Sequence, residues 1–247
     1  MTKPIAVHVD NVSLKYRLYS ERNDSIKSAL MRRTAGKFKD FWGLRHVSIE
    51  VVAGSTLGLI GANGSGKSTL LKTISRILYP DEGTVTVNGR VASLLEVGSG
   101  FHPELSGREN IFLNGSILGM QRKEIARRLD EIIDFSGVRD FIDQPVKNYS
   151  SGMYVRLGFA VAIHTNPDIL IVDEVLAVGD AAFREKCRLK FLELRDQGKT
   201  IILVSHSMDT IIEMCDVAVW MQEGHVMKLG TPRDVVAAYE ATVSDQE

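Results

Sequence analysis

Thr56-Leu57-Gly58-Leu59-Ile60-Gly61-Ala62-Asn63-Gly64-Ser65-Gly66-Lys67-Ser68-Thr69 is the stretch that decides how this chain folds. Residues 56–60 are a compact apolar run, the pattern of a strand covered on both faces. Residues 61–68 follow as G-x-x-x-x-G-K-[ST], and a helix-forming stretch runs on from about Lys67 to Leu78. A glycine-rich loop between a buried strand and a helix start lets successive backbone N–H groups close around an anion. In that arrangement Gly61, Asn63, Gly64, Ser65 and Gly66 wrap the phosphates of ATP. Lys67 reaches the β- and γ-phosphates, Ser68 offers its hydroxyl to Mg²⁺, and Thr69 adds a hydroxyl near the α-phosphate. With both flanking elements in place, a mere glycine-rich turn is the weaker reading.

Two further strand ends carry chemistry. Ile169-Leu170-Ile171-Val172 runs into Asp173-Glu174, so a buried strand delivers two carboxylates to the edge where α/β sheets bind ligands. Asp173 is then placed to hold Mg²⁺, and Glu174 to act as general base on the attacking water. On its own this pattern also suits a solvated acidic turn. Thr200 to Ser205 is another buried strand and ends at His206, where an imidazole can meet the γ-phosphate. The other histidines (8, 46, 102, 164 and 225) have no such context and read as structural. Tyr149-Ser150-Ser151-Gly152-Met153 precedes an apolar helix, Val155 to Ile163, and makes a second anion-facing helix start.

Around these motifs the elements spell an α/β fold. Ile5 to Tyr19 and Leu44 to Val52 alternate as strands, with short strands at Val85–Val87 and Val91–Leu95. Residues 20–40 are polar and basic, with Ile26, Leu30 and Met31 suggesting a short amphipathic helix. Residues 98–153 read as helical, opened by the capping box Ser106–Glu109. From Pro167 strands alternate with helices near 181–197 and 208–214, a strand at 217–221 and a last helix at Pro232–Ala241. The expectation is one domain: a parallel-sheet core with a β subdomain (1–97 and 154–241), a helical insertion (98–153) and a frayed tail (242–247).

The bulk properties exclude other classes. The 247 residues carry a formal net charge of −1, which gives no drive toward nucleic acid. No apolar run of about 18 residues exists to span a bilayer, and Met1-Thr2-Lys3-Pro4 lack the apolar core expected of a secretory signal. Cys187 and Cys215 share no metal-like spacing and read as reduced thiols.

In their order, these motifs resemble the nucleotide-binding domain of ABC transporters: phosphate loop 61–68, signature 149–153, carboxylates 169–174, a D-loop near Ala177–Asp180 and the histidine at 206. The 21-residue interval from Gly152 to Asp173 is similar to the spacing of that family. The resemblance implies a P-loop NTPase with an N-terminal antiparallel β subdomain, and a second copy of the chain pairing head to tail over two ATP molecules. Ser150, Ser151 and Gly152 would then serve the nucleotide of the partner copy, and Asp180 would communicate between copies. Tyr16 matches the aromatic that stacks on adenine, with Trp42 as its rival. Two positions depart from the family pattern. The usual LSGGQ reads YSSGM here, and Glu96 stands near the place of a metal- or water-contacting glutamine, which leaves that role open.

The stretch 94–110 (LLEVGSGFHPELSGREN), with the 20–40 insert, is similar to ATPases of bacterial exporters of O-antigen, teichoic acid or related lipid-linked glycans. The resemblance implies a polytopic transmembrane permease as partner, docked on residues 98–141. It also implies a peripheral place on the cytoplasmic face of the inner membrane, with the basic 20–40 stretch near anionic headgroups as one reading and a solvated loop as the other. Some relatives of that branch add a C-terminal carbohydrate-binding domain; the expectation is a chain without one. The competing readings are export of another lipid, drug or peptide, and a soluble ABC ATPase of translation or DNA repair.

Overall fold

Strand pairing in the computed structural model, which describes residues 3–19, 38–96, 98–173 and 180–244, divides the chain into two sheets. The first part runs β1 (Ile5–Tyr19), β2 (Phe38–Val52), β3 (Thr56–Ile60), α1 (Lys67–Ile74), β4 (Glu82–Val87) and β5 (Val91–Ser93). Three helices follow: α2 (Gly107–Ile117), α3 (Arg122–Ser136) and α4 (Ser151–Ile163). The chain then alternates β6 (Ile169–Asp173), α5 (Ala181–Asp196), β7 (Thr200–Val204), α6 (Met208–Met214) and β8 (Val217–Gln222). It closes with β9 (His225–Gly230) and α7 (Pro232–Ser244).

β1 lies between β2 and β4 in an antiparallel sheet. The larger sheet has the order β5-β6-β7-β3-β8-β9 and is parallel up to its antiparallel edge strand β9. Its inner strands have no polar face because both faces are covered. Ile169 and Ile171 pack into a core shared with β1, β2 and α1, while Leu170 and Val172 pack against α4, α5, α6 and α7. On β7, Ile202 and Val204 take the first core and Ile201 and Leu203 the second. An unbroken apolar run is what such a position requires.

A third core, around Ile111, Ile125, Ile132 and Ile133, joins α2 and α3 to α4. α4 serves two cores: Leu157, Ala160 and Val161 face the helical unit, while Phe159, Ala162 and Ile163 pack beneath the main sheet. The boundary expected at 153/154 therefore falls inside a helix. Cys187 and Cys215 are free thiols, and burial pushes both up to about 12, so they stay protonated at neutral pH.

Several element ends differ from the sequence reading, each for a local reason. α1 stops at Ile74 instead of Leu78, because Arg76 takes a left-handed φ of 60° and the Ile77 and Leu78 N–H groups turn back to the Lys72 carbonyl. β2 begins at Phe38, ahead of Leu44, by pairing with the end of β1; the expected amphipathic helix falls mostly on 20–37, outside the described residues. β5 ends at Ser93 and passes into a 3-10 turn, Leu94–Glu96. α4 starts at Ser151, not Val155. α7 continues through 242–244, where fraying was expected; the Thr242 hydroxyl donates to the Ala238 carbonyl at 3.1 Å. β9 has no counterpart in the sequence reading. Glu223 (φ 48°) and Gly224 (φ 80°) form a two-residue hairpin between Gln222 and His225, without the more usual asparagine-glycine signal.

The segment leading into α2 is held by its own side chains. Ser106 Oγ accepts from the Glu109 N–H at 3.2 Å, and Glu109 Oε2 accepts from the Ser106 N–H at 2.8 Å, completing the capping box. Asn110 is fully buried. Its Oδ1 accepts from the His102 N–H at 2.7 Å, and Nδ2 points at the carbonyls of His102, Leu105 and Ser106 at 3.0–3.1 Å. Asn110→Ala strands these backbone groups and should cost about 2–4 kcal/mol, read as a lower urea midpoint at an unchanged m-value.

Candidate nucleotide-binding site

Register brings the chemistry-bearing strand ends into one row. Asp173 of β6 pairs with Val204 of β7, and Val204 pairs with Leu59 of β3. The loop 61–66 therefore leaves the sheet one strand beyond β7, and His206 stands just past Val204, between the loop and Asp173. Open α/β sheets bind ligands at these carboxyl ends.

The loop is closed around its own lysine. Lys67 is buried, and its Nζ donates to the carbonyls of Gly61 at 2.7 Å and Ala62 at 2.9 Å, with Ser65 Oγ at 3.5 Å. These acceptors compensate the desolvated ammonium. Gly61 has φ 142°, and a Cβ there would run into the Met221 carbonyl of β8, so no other residue fits the start of the loop. Gly66 is the N-cap of α1 and has no side chain to satisfy the first-turn N–H groups, which face the space before the helix. Ser68 is exposed and Thr69 half-buried in that first turn. Asn63 to Thr69, with Gly43 and Phe41, line a cavity of about 170 Å³.

The aromatic residues near the loop separate by face. Tyr16 and Phe41 are directly paired across β1 and β2 and share the face toward the loop. The Tyr16 hydroxyl lies 3.2 Å from Thr69 Oγ1, and its ring lies so close to the Gly43 backbone that a Cβ there would come within 2.7 Å of it. Phe41 is 50% exposed and lines the cavity. Trp42 points the other way, with the Lys15 ammonium 5.6 Å and the Arg45 guanidinium 5.9 Å from its ring centre. Phe41 is thus the residue the sequence reading missed. The signal for it was alternation opposite Tyr16, legible only once β2 is known to start at Phe38.

The remaining candidates lie on other elements. Ser150 caps α4, accepting from the Met153 N–H at 3.2 Å, and Ser151 and Gly152 form the first turn. A Cβ on Gly152 would meet only Ser150 Oγ, at 3.9 Å, so packing within the chain does not demand glycine there. Tyr149 anchors this end through its hydroxyl to the Phe141 carbonyl at 2.9 Å, and burial raises its pKa. Residues 150–152 do not line the phosphate-loop cavity. Asp180 caps α5 by accepting from the Phe183 N–H at 2.8 Å and pairs with Arg156; the Phe183 N–H first, then Arg156, hold its carboxyl below the usual range. His206 is exposed on the wall of a larger cavity, about 530 Å³, between α5 and α6. Glu96 ends the turn after β5, the strand next to β6. Glu174 lies outside the described residues.

These placements define the class, an α/β cassette with a glycine-rich loop at the carboxyl edge of its core sheet and an inserted helical unit whose last helix starts at a serine cap. Comparison with known proteins supplies the family. The pattern of the family described as ABC transporter matches residues 44–177. The O-antigen export system ATP-binding protein RfbB of Myxococcus xanthus is 47% identical over 246 residues, 97% of this chain and 56% of that protein. The teichoic acids export ATP-binding protein TagH of Listeria monocytogenes is 44% identical over 243 residues, 98% of this chain and 72% of that protein. An O-antigen export ATP-binding protein RfbB of Klebsiella pneumoniae is 41% identical over 242 residues, 96% of this chain and 98% of that protein. The chain thus spans little more than half of the Myxococcus relative and nearly all of the Klebsiella one. A solved ATP-binding subunit of an ABC transporter superposes with a TM-score of 0.76 at 23% identity, over 95% of this chain and 93% of that one. A dimeric cassette in a post-hydrolysis state with ADP and Pi gives 0.72 at 20% identity, over 92% and 99%. At those identities the two structures show the fold. The chain belongs to the ABC transporter family and is an ABC-type ATPase.

Because Phe41 faces the loop and Trp42 faces away, Phe41→Ala should weaken ATP binding about tenfold while Trp42→Ala stays within about twofold, as measured by calorimetric titration.

Proposed function

We propose that the chain is the ATP-hydrolysing subunit of a bacterial ABC exporter that moves a lipid-linked polysaccharide, O-antigen or similar, across the inner membrane. The observation that carries this reading is identity of 41–47% along nearly the whole chain to proteins named for O-antigen and teichoic acid export.

In this reading the loop Gly61–Ser68 holds the phosphates of ATP, and Phe41 and Tyr16 flank the base. The donors Ser68 and Asp173 fit Mg²⁺, since a hydroxyl and a carboxylate are hard oxygen ligands and leave positions for phosphate oxygens and water. Bound there, the ion would neutralise charge on the β- and γ-phosphates. Glu174, the next residue after Asp173, takes the proton of the attacking water, and His206 orients it against the γ-phosphate. Glu96, near the place of the family's glutamine, is a carboxylate where an amide is usual, so it would not donate a hydrogen bond there as an amide does.

A cavity of about 170 Å³ covers only part of a nucleotide, since small-molecule sites run to roughly 300–1,000 Å³. A second copy of the chain supplies the rest, pairing head to tail so that its Ser150, Ser151 and Gly152 meet the γ-phosphate and its Asp180 lies near the crossing. The openness of Gly152 supports this, because a glycine unneeded by its own chain suits a site where an outside group approaches closely. Among the described residues no helix is long and apolar enough to cross a membrane. The reading therefore assigns translocation to a polytopic permease seated on the helical unit 98–141. The ATPase then sits peripherally on the cytoplasmic face.

Glu174→Gln should keep MgATP affinity while turnover falls by at least about a hundredfold, with a nucleotide-bound dimer accumulating on size exclusion. Pulldown of the tagged chain from membranes of its native host in mild detergent should recover a polytopic membrane protein. Recovery from the soluble fraction with ribosomes or DNA would end the transport reading and leave the ATPase standing.

A further inference from the structure

Arg156 leaves the helical unit to bind the core. It lies on α4, in the second turn after the Ser150 cap, and its guanidinium pairs with the Asp180 carboxylate at the head of α5. The same guanidinium lies over the Phe183 ring, 5.2 Å from its centre. Asp180 in turn accepts from the Phe183 N–H at 2.8 Å, so arginine, carboxylate and the first turn of α5 form a closed set of contacts. Beneath it the Phe183 ring meets Phe159 of α4 edge-on at 5.8 Å and Phe135 of α3 at 5.7 Å, and those two rings stack at 6.1 Å. The Arg156 side chain is 25% exposed against 61% for Asp180, so the arginine is the partly withdrawn member, held by ring and carboxylate together. A planar guanidinium can lie over a ring while one nitrogen bonds an acid; a lysine ammonium serves the two less well at once.

The helix ends joined in this way are the ones that, on the paired reading proposed above, both serve the partner copy: Ser150–Gly152 on α4 and Asp180 on α5. We infer that Arg156 is a positioning residue that holds these two ends as one unit, so that they reach the partner copy's nucleotide together. The inference rests on the paired-cassette reading and adds the residue that sets the geometry of its second half-site.

The test compares the unaltered chain with Arg156→Ala, Arg156→Lys, Asp180→Asn and the Ala/Asn double variant; asparagine keeps a cap oxygen for the Phe183 N–H. Two quantities are read with MgATP as probe: affinity of the dilute chain, and the protein concentration at which ATP drives half-maximal association. For Arg156→Ala the affinity should stay within about twofold while the association concentration rises about tenfold, with Arg156→Lys restoring part of it. The double variant should be no worse than the more impaired single one, because both changes break the same contact. A merely structural arginine would lower melting temperature and MgATP affinity together and leave association per folded molecule unchanged, which overturns the inference; so do additive effects in the double variant. If Arg156→Ala does not fold, Arg156→Lys and Asp180→Asn read the same two quantities in chains that keep the charge or the cap. An unaltered chain that does not associate with MgATP at any concentration sinks the paired reading itself, an outcome distinct from a paired chain indifferent to Arg156.

Discussion

The parallel ladder β6-β7-β3 is the constraint on which the rest depends. Its strands have apolar residues on both faces, so they are stable only between two covering layers. In that position register is tightly specified, because a slip by one residue would exchange the two faces and carry every side chain to the wrong core. The same register decides that Asp173, Val204 and Leu59 stand in one row. A packing requirement in the interior thus determines that a carboxylate, a histidine and a phosphate loop emerge side by side. Lys67 completes the arrangement by drawing the Gly61 and Ala62 carbonyls around its ammonium, which gives the loop a shape of its own.

The helical unit is attached to this sheet through one element. α4 begins with the Ser150 cap, shares its middle with α2 and α3, and buries its far end beneath β6 and β7. Its N-terminal end is steadied by Tyr149, its flank by Arg156, and the aromatic set Phe135, Phe159 and Phe183 fills the joint with α5. On the paired reading proposed above, a side-chain joint of this kind would lower the ordering cost when the start of α4 meets another molecule.

The stretch 94–110, which carried the likeness to glycan exporters, has a largely internal purpose in this structure. Gly98 takes a left-handed φ of 81° and gives its carbonyl to the Tyr154 hydroxyl at 2.8 Å, Phe101 meets the Tyr154 ring edge-on at 5.0 Å, and Ser106, Glu109 and Asn110 shape the start of α2. The loop is thus held to α4 by the Gly98 carbonyl and the Phe101 ring, while Ser106, Glu109 and Asn110 open the helix. Likeness in this stretch reports how the helical unit is built, and the link to cargo passes through the whole-chain relatives.

The glycine-rich loop at 61–66, the strand ends before Glu174 and His206, the capping box and the alternation of strands and helices from Ile169 to Met221 were legible in the sequence, because each rests on local chemistry. Spacing, caps and unbroken apolar runs express themselves within a few residues. What the sequence left open depends on partners distant along the chain. Phe41 faces the loop and Trp42 does not because β2 pairs with β1 from Phe38 onward, and pairing alone assigns faces. β9 exists because an edge was available beside β8, although its hairpin carries a weak turn signal. The Arg156–Asp180 contact joins residues of two units 24 positions apart. Local physics chose the elements and their chemistry; only the tertiary structure chose which side chains share a face, because that depends on strand register and helix packing, which no window of sequence contains.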